Sequence, residues 1–123
     1  MKVVCLGIFD RGNIAKERVH FRAVVDMDLQ FYAIYDTSYL GDDKIQTQHK
    51  DCFWFAPFQV KAGQNIVLYT RVGLSLIHIS EPRNDGSVFH FFFRGLNQPI
   101  YTQIEKCAVI FELANWITSK KGA

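Results

Sequence analysis

The sequence predicts an all-β protein, a sandwich of about seven strands with little helix, and three observations carry that expectation. Short runs rich in β-branched and aromatic residues recur along the 123 residues, each closed by turn formers. Several of these runs alternate apolar and polar side chains at a period of two, which puts one face on a core and one in water. No segment sustains a helical period between a cap and a glycine stop; Ile100 to Phe111 comes closest and turns β-branched halfway. At 49% hydrophobic, 15% aromatic and 21% charged the chain is too apolar to be disordered. Without a repeat, a low-complexity tract or a linker, residues 1–123 are expected to form one domain.

The first run, Lys2 to Phe9, ends at Asp10-Arg11-Gly12-Asn13, whose Gly and Asn accept the positive φ of a tight reversal. The second, about Glu17 to Val25, sets Val19, Phe21, Ala23 and Val25 against His20 and Arg22. The third, about Leu29 to Thr37, offers Leu29, Tyr32 and Ile34 to the core, which requires a bulge between the first two. Tyr39 to Lys50 turns polar around Gly41-Asp42-Asp43 and reads as a solvated loop. The fourth run, Asp51 to Pro57, has Phe53 and Phe55 on one face and Trp54 on the other, and Pro57 marks its end or an edge. A turn pivoting on Gly63 feeds the fifth run, Ile66 to Arg71, with Ile66, Leu68 and Thr70 opposite Val67, Tyr69 and Arg71. Val72 to Gly86 reads as a long loop with room for one short strand. The sixth run is Ser87 to Arg94, Gly95 to Lys106 is irregular, and the seventh run is Cys107 to Leu113.

Sets of residues that carry chemistry are sparse. The four histidines fall on different segments, and neither His-x-x-x-His nor Cys-x-x-Cys spacing occurs, so no metal site and no cofactor are expected. His49 and Cys52 form a lone His-x-x-Cys, two ligands where four are needed. Asp36, Asp42, Asp43 and Asp51 lack the spacing of a calcium loop and read as solvation of a sheet edge. Neither a phosphate-binding glycine loop nor a Gly-x-Ser-x-Gly elbow is present, so no catalytic residue is assigned. Cys5, Cys52 and Cys107 are odd in number and far apart, which suits three free, buried thiols in the reducing cytoplasm. The apolar N-terminal run is too short to span a bilayer, so no membrane association is expected.

The order of the runs carries a resemblance. Glu17-Arg18-Val19-His20-Phe21, Asp28-Leu29 with Tyr32-Ala33-Ile34-Tyr35-Asp36, Phe53-Trp54-Phe55-Ala56-Pro57 and Val60-Lys61-Ala62-Gly63-Gln64-Asn65-Ile66-Val67-Leu68 together resemble the lamin-tail-type immunoglobulin-like sandwich. His90-Phe91-Phe92-Phe93-Arg94-Gly95-Leu96-Asn97 and Cys107 to Leu113 with Trp116 are similar to small bacterial proteins of that kind, some of them carried on mobile gene cassettes of integrons. The resemblance covers roughly Glu17 to Trp116 and implies an immunoglobulin-like fold and a binding-module style of use. Two positions depart from it: Glu105-Lys106 stands where Gly-Asp is usual, and Arg94, taken as exposed, stands where Trp is commoner.

The aromatics supply the candidate site. In the sixth run Phe89, Phe91 and Phe93 share one face and His90, Phe92 and Arg94 the other; the amphipathic trio is assigned outward. If the fourth and sixth runs are neighbours, Trp54, His90, Phe92 and Arg94 form one patch, joined by Tyr69 and Arg71, and aromatic and arginine residues of this kind anchor interfaces. The expected function is a non-enzymatic interaction module that self-associates, as a homodimer, or binds a protein. The alternatives are that the loop residues Leu76, Ile77 and Ile79 cover Trp54 and Phe92, or that His90, Arg94 and Asp36 line a small-molecule or enzymatic pocket. Arg71, Arg83 and Arg94 are too few for a basic groove, so nucleic acid is not expected.

Overall fold

The computed structural model describes residues 1–46, 51–73 and 78–120. Among them the chain is all-β, with eleven strands and a single 3₁₀ turn: β1 Val3–Phe9, β2 Arg18–Ala23, β3 Met27–Asp28, β4 Tyr32–Gly41, β5 Lys44–Ile45, β6 Cys52–Trp54, β7 Gln59–Val60, β8 Asn65–Arg71, β9 His78–Pro82, β10 Val88–Leu96 and β11 Lys106–Glu112. A five-stranded sheet runs in the order β1-β2-β8-β10-β9, and it is antiparallel except where β10 pairs parallel with β8. The second sheet has β4 at its centre, with β11 along one side and β5 and β6 along the other; β3 and β7 form a small third ladder.

The two larger sheets face each other across one core, as the predicted sandwich requires. Val19 and Phe21 of β2, Ile66 and Leu68 of β8 and Phe92 of β10 meet Tyr32 and Ile34 of β4 there. Phe55, just past β6, is the hinge of the packing: its ring meets Phe21, Phe53 and Phe92 edge-on at 6.0, 4.9 and 5.0 Å. Edge-to-face rings set the negative face of one against the positive rim of the next, so this aromatic core is directional as well as apolar.

Buried Glu17 ties the loops to this core. One carboxylate oxygen accepts from the Thr70 hydroxyl at 2.6 Å and the Ile100 N–H at 2.8 Å; the other accepts from the Gly12 and Tyr101 N–H groups, both at 2.9 Å. A carboxylate has lone pairs for four donors, and here all four arrive. The irregular stretch Gly95 to Lys106 and the Asp10 to Lys16 turn are thereby pinned to β8.

Several sequence expectations need adjusting. Leu29, Tyr32 and Ile34 are all buried, but a 3₁₀ turn over Leu29–Phe31, capped by Asp28, brings Leu29 inward where a bulge was expected. Tyr39 to Lys50 contains the end of β4 and the short β5, joined through Asp42 and Asp43 at φ 51° and 59°; positive φ at both central residues suits a tight hairpin. Val25 lies beyond β2 and is exposed. The long Val72 to Gly86 connection holds β9, which pairs with β10. The three thiols form no disulfide, yet Cys5 and Cys52 are exposed and Cys107 is half-buried: Cys52 and Cys107 fall on the outer face of the second sheet, opposite Tyr35 and Thr37, and Cys5 lies on the edge strand β1. His49, Leu74, Leu76 and Ile77 lie outside the described residues.

Candidate functional site

Register decides which side chains share the outer face of the five-stranded sheet. One row across the strands is Phe9, Arg18, Tyr69 and Phe93; the next is Gly7, His20, Val67, Phe91 and Ile79; a third is Val4, Arg22, Asn65, Phe89 and Glu81. Side chains directly opposite each other on paired strands point the same way. Six rings therefore touch in one run, Phe9, His20, Phe89, Phe91, Tyr69 and Phe93, with centroid steps of 6.1, 5.7, 6.0, 6.0 and 5.5 Å. Phe89 and Phe91 are within 15° of parallel and Tyr69 and Phe93 within 14°.

Arginines lie across this run. The Arg71 guanidinium sits 5.0 Å from both the Tyr69 and Phe93 rings, Arg83 3.9 Å from Phe89, and Arg18 5.4 Å from Phe9. Asp10 pairs with Arg18 at 2.6 Å and Glu81 with Arg83 at 3.6 Å. Among the described residues neither Arg22 nor Arg71 has a carboxylate within ion-pairing distance. The face is thus aromatic with a residual positive charge. His20 in its midst has its pKa lowered, first by burial and then by repulsion from Arg18, Arg22 and Arg83, against the opposing hydrogen bond to Asn65 Oδ1 at 3.0 Å. The imidazole is consequently neutral at pH 7.

The predicted patch does not exist as one surface. Its six residues fall in three places, with Arg71 beside Tyr69. Tyr69 is on the outer face just described. Trp54 is on the outer face of the other sheet, where it packs edge-on against Trp116 at 5.1 Å and donates its indole N–H to the Gln30 carbonyl at 2.6 Å. His90, Phe92 and Arg94 point between the sheets: His90 and Phe92 are each 6% exposed and the Arg94 side chain 4%. The assignment of the two faces of the sixth run is therefore inverted, and β6 and β10 belong to different sheets.

His90 and Arg94 turn inward onto partners, with Arg94 Nε alone of their ring and guanidinium nitrogens buried without one. Gln64 Oε1 accepts from the Lys61 N–H, which fixes the amide, so His90 Nε2 donates to that same oxygen at 2.8 Å and Nδ1 accepts from the Ser80 hydroxyl at 2.8 Å. Arg94 donates to the Ile34 carbonyl at 3.2 Å and lies 3.9 Å from the Asp36 carboxylate. The position taken as exposed in the family comparison is thus buried. The His90, Arg94 and Asp36 pocket is not assembled either: His90 is engaged by Ser80 and Gln64 beside β9, whereas Asp36 lines a separate cleft of about 380 Å³ with Asp51, Asn97, Gln98, Thr102 and Lys106. Among the described residues no group of three or more His, Cys, Asp or Glu side chains could hold a metal ion. No helix among them is long and apolar enough to cross a membrane.

The residues that sequence reasoning missed are Phe9, Arg18, His20, Arg22, Phe89, Phe91 and Phe93. The alternation of His20 and Arg22 against Val19 and Phe21 was a usable signal, since it fixes the outward rows of β2. What was absent was the pairing that carries those rows across β8 to β10. Compared with known proteins, the chain matches no family model, no curated protein and no solved structure.

Proposed function

We propose that this chain is a non-enzymatic binding module of the lamin-tail-like, immunoglobulin-like kind, working in the bacterial cytoplasm, and that it docks through the outer face of the five-stranded sheet. The observation that carries the reading is the unbroken run of six rings, four of them, Phe9, Tyr69, Phe89 and Phe93, overlaid by arginines. Aromatic side chains give large contact area with few rotors to freeze, and arginine adds a planar guanidinium that both stacks and donates hydrogen bonds, which is why they dominate binding hot spots. Homodimerisation, the most economical partner from sequence, would set Arg22 and Arg71 of one copy near those of another. Like charges brought together under desolvation oppose that pairing, so an acidic partner is favoured over a second copy.

The test is a backbone-amide NMR titration of the labelled chain against three partners in turn: unlabelled chain, an acidic peptide and an oligonucleotide. Shifts concentrated at residues 18–22, 69–71 and 89–93 with any one of them support the module. Shifts confined to the cleft beside Asp36, or none with all three near ~1 mM, a Kd scale of about −4 kcal/mol, overturn it.

A further inference from the structure

We infer that the partner of this face is a single-stranded nucleic acid, with bases stacked on the ring run and on the guanidinium planes that overlie part of it, and phosphates held by arginine edges. The inference rests on the reading of the outer sheet face as the docking surface and adds the chemistry of its occupant. Two features must be matched at once, a row of flat π faces and a surplus of positive charge. A second copy of the chain offers rings but doubles the charge; an acidic peptide offers charge but no row of rings. A single strand offers both in one repeating unit.

The geometry agrees in detail. Each step of the ring run, 5.5 to 6.1 Å, is wider than the ~3.4 Å between stacked bases of a duplex, so a strand laid along it is extended, with its bases spread apart. A guanidinium lying over a ring directs its N–H edges away from the ring face; Arg71, over Tyr69 and Phe93, gives one Nη1–H to the Val72 carbonyl at 3.0 Å and keeps its other N–H groups for phosphate. From sequence, Arg71, Arg83 and Arg94 are too few for nucleic acid; the structure buries Arg94 but brings Arg18 and Arg22 of β2 to this face. Arg22 and Arg71 supply the charge that no carboxylate among the described residues neutralises, while Asp10 and Glu81 are engaged by Arg18 and Arg83. A duplex is excluded by shape: its bases show only edges in the grooves, and a flat sheet face has nothing to insert. The selectivity expected is therefore for unpaired strands and tolerant of sequence.

Fluorescence anisotropy with a labelled oligothymidine of about 12 nucleotides, within the usual site sizes, tests this on the full chain. Binding at low salt is expected, weakened about tenfold by Phe91→Ala, a stacking-sized loss. Arg71→Ala should weaken it and flatten the dependence of log K on log salt by about 0.7 to 1, one phosphate contact. Phe111→Ala, on the outer face of the other sheet, should leave binding unchanged. Tyr69→Ala serves as the second ring variant, with melting curves to confirm the fold of each. Absence of binding overturns the inference, as does equal affinity for duplex with no effect of Phe91→Ala or Tyr69→Ala. Binding of an acidic peptide or of a second copy in place of the oligonucleotide overturns it while leaving the docking face standing; a face silent to all three overturns both.

Discussion

The inward face of β10 carries a histidine, a phenylalanine and an arginine, whereas the outward face of the same strand carries three phenylalanines. Hydropathy alone would turn the strand around. Inside, His90 and Arg94 exchange water for Ser80, Gln64, Asp36 and the Ile34 carbonyl, and Phe92 fills the space between Phe55 and Phe58. Outside, Phe89 and Phe91 stack on each other, Phe91 and Phe93 both meet Tyr69, and arginines overlie Phe89 and Phe93, so that each of the three is half-buried. Burial of a polar group is tolerable when its partners are built in, and exposure of a ring is tolerable when its neighbours cover it. What differs between the faces is the role: one specifies the core, the other presents a surface.

The largest effect that can break this comparison is in the core. Phe92→Ala should cost about 3–5 kcal/mol in denaturant unfolding, as emptying an aromatic core position does, whereas Phe91→Ala one residue away should cost about 1 kcal/mol. Equal losses would erase the distinction. Glu17→Ala comes next. It strips the acceptor from the Gly12, Ile100 and Tyr101 N–H groups and the Thr70 hydroxyl, and should cost about 2–4 kcal/mol. Hydrogen exchange should quicken first at Ile100 and Tyr101; unchanged protection there would show that the carboxylate does not hold the segment.

How much of this was legible in the sequence differs from element to element. The alternation in β2 as far as Ala23, and in β8, assigned inner and outer residues that the structure bears out, because each carries a run of unequal polarity; Phe53 and Phe55 are set opposite Trp54 by the period of two alone, and Val25, taken as inward, is exposed. β10 carries a contrast that points the wrong way: Phe89, Phe91 and Phe93 are as apolar as any core row, and His90 and Arg94 look like surface. Their partners Gln64, Ser80 and Asp36 lie 26, 10 and about 60 positions away in the chain, distances that periodicity does not see. The same limit hid the aromatic outer face, which is assembled from β1, β2, β8 and β10 only once their register is known. Trp54 was read correctly as outward but attributed to the wrong sheet, since the pairing of β6 with β4 leaves no local signature.

The smallest expected effect is a pH dependence centred on His20. Its folded pKa lies below the ordinary value, so as pH falls through ~6.5 the unfolded chain takes up a proton that the folded chain resists. Stability should therefore be level above pH 7 and decline as pH drops through that value toward the lowered folded pKa. His20→Gln should remove that part of the slope in pH-dependent melting. A His20 that protonated more readily in the folded chain would tilt the slope the other way and contradict the positive surroundings drawn from Arg18, Arg22 and Arg83.

Thermal melting of Phe91→Glu tests the central claim most directly, because a charge is tolerated on a surface and ruinous in a core. With Phe91 on the outer face, the variant should fold and melt within roughly 5 °C of the parent, the shift expected from about 1 kcal/mol in a chain of this size. A Phe91→Glu chain that fails to fold would place Phe91 in the core and remove the docking face on which the proposed function stands.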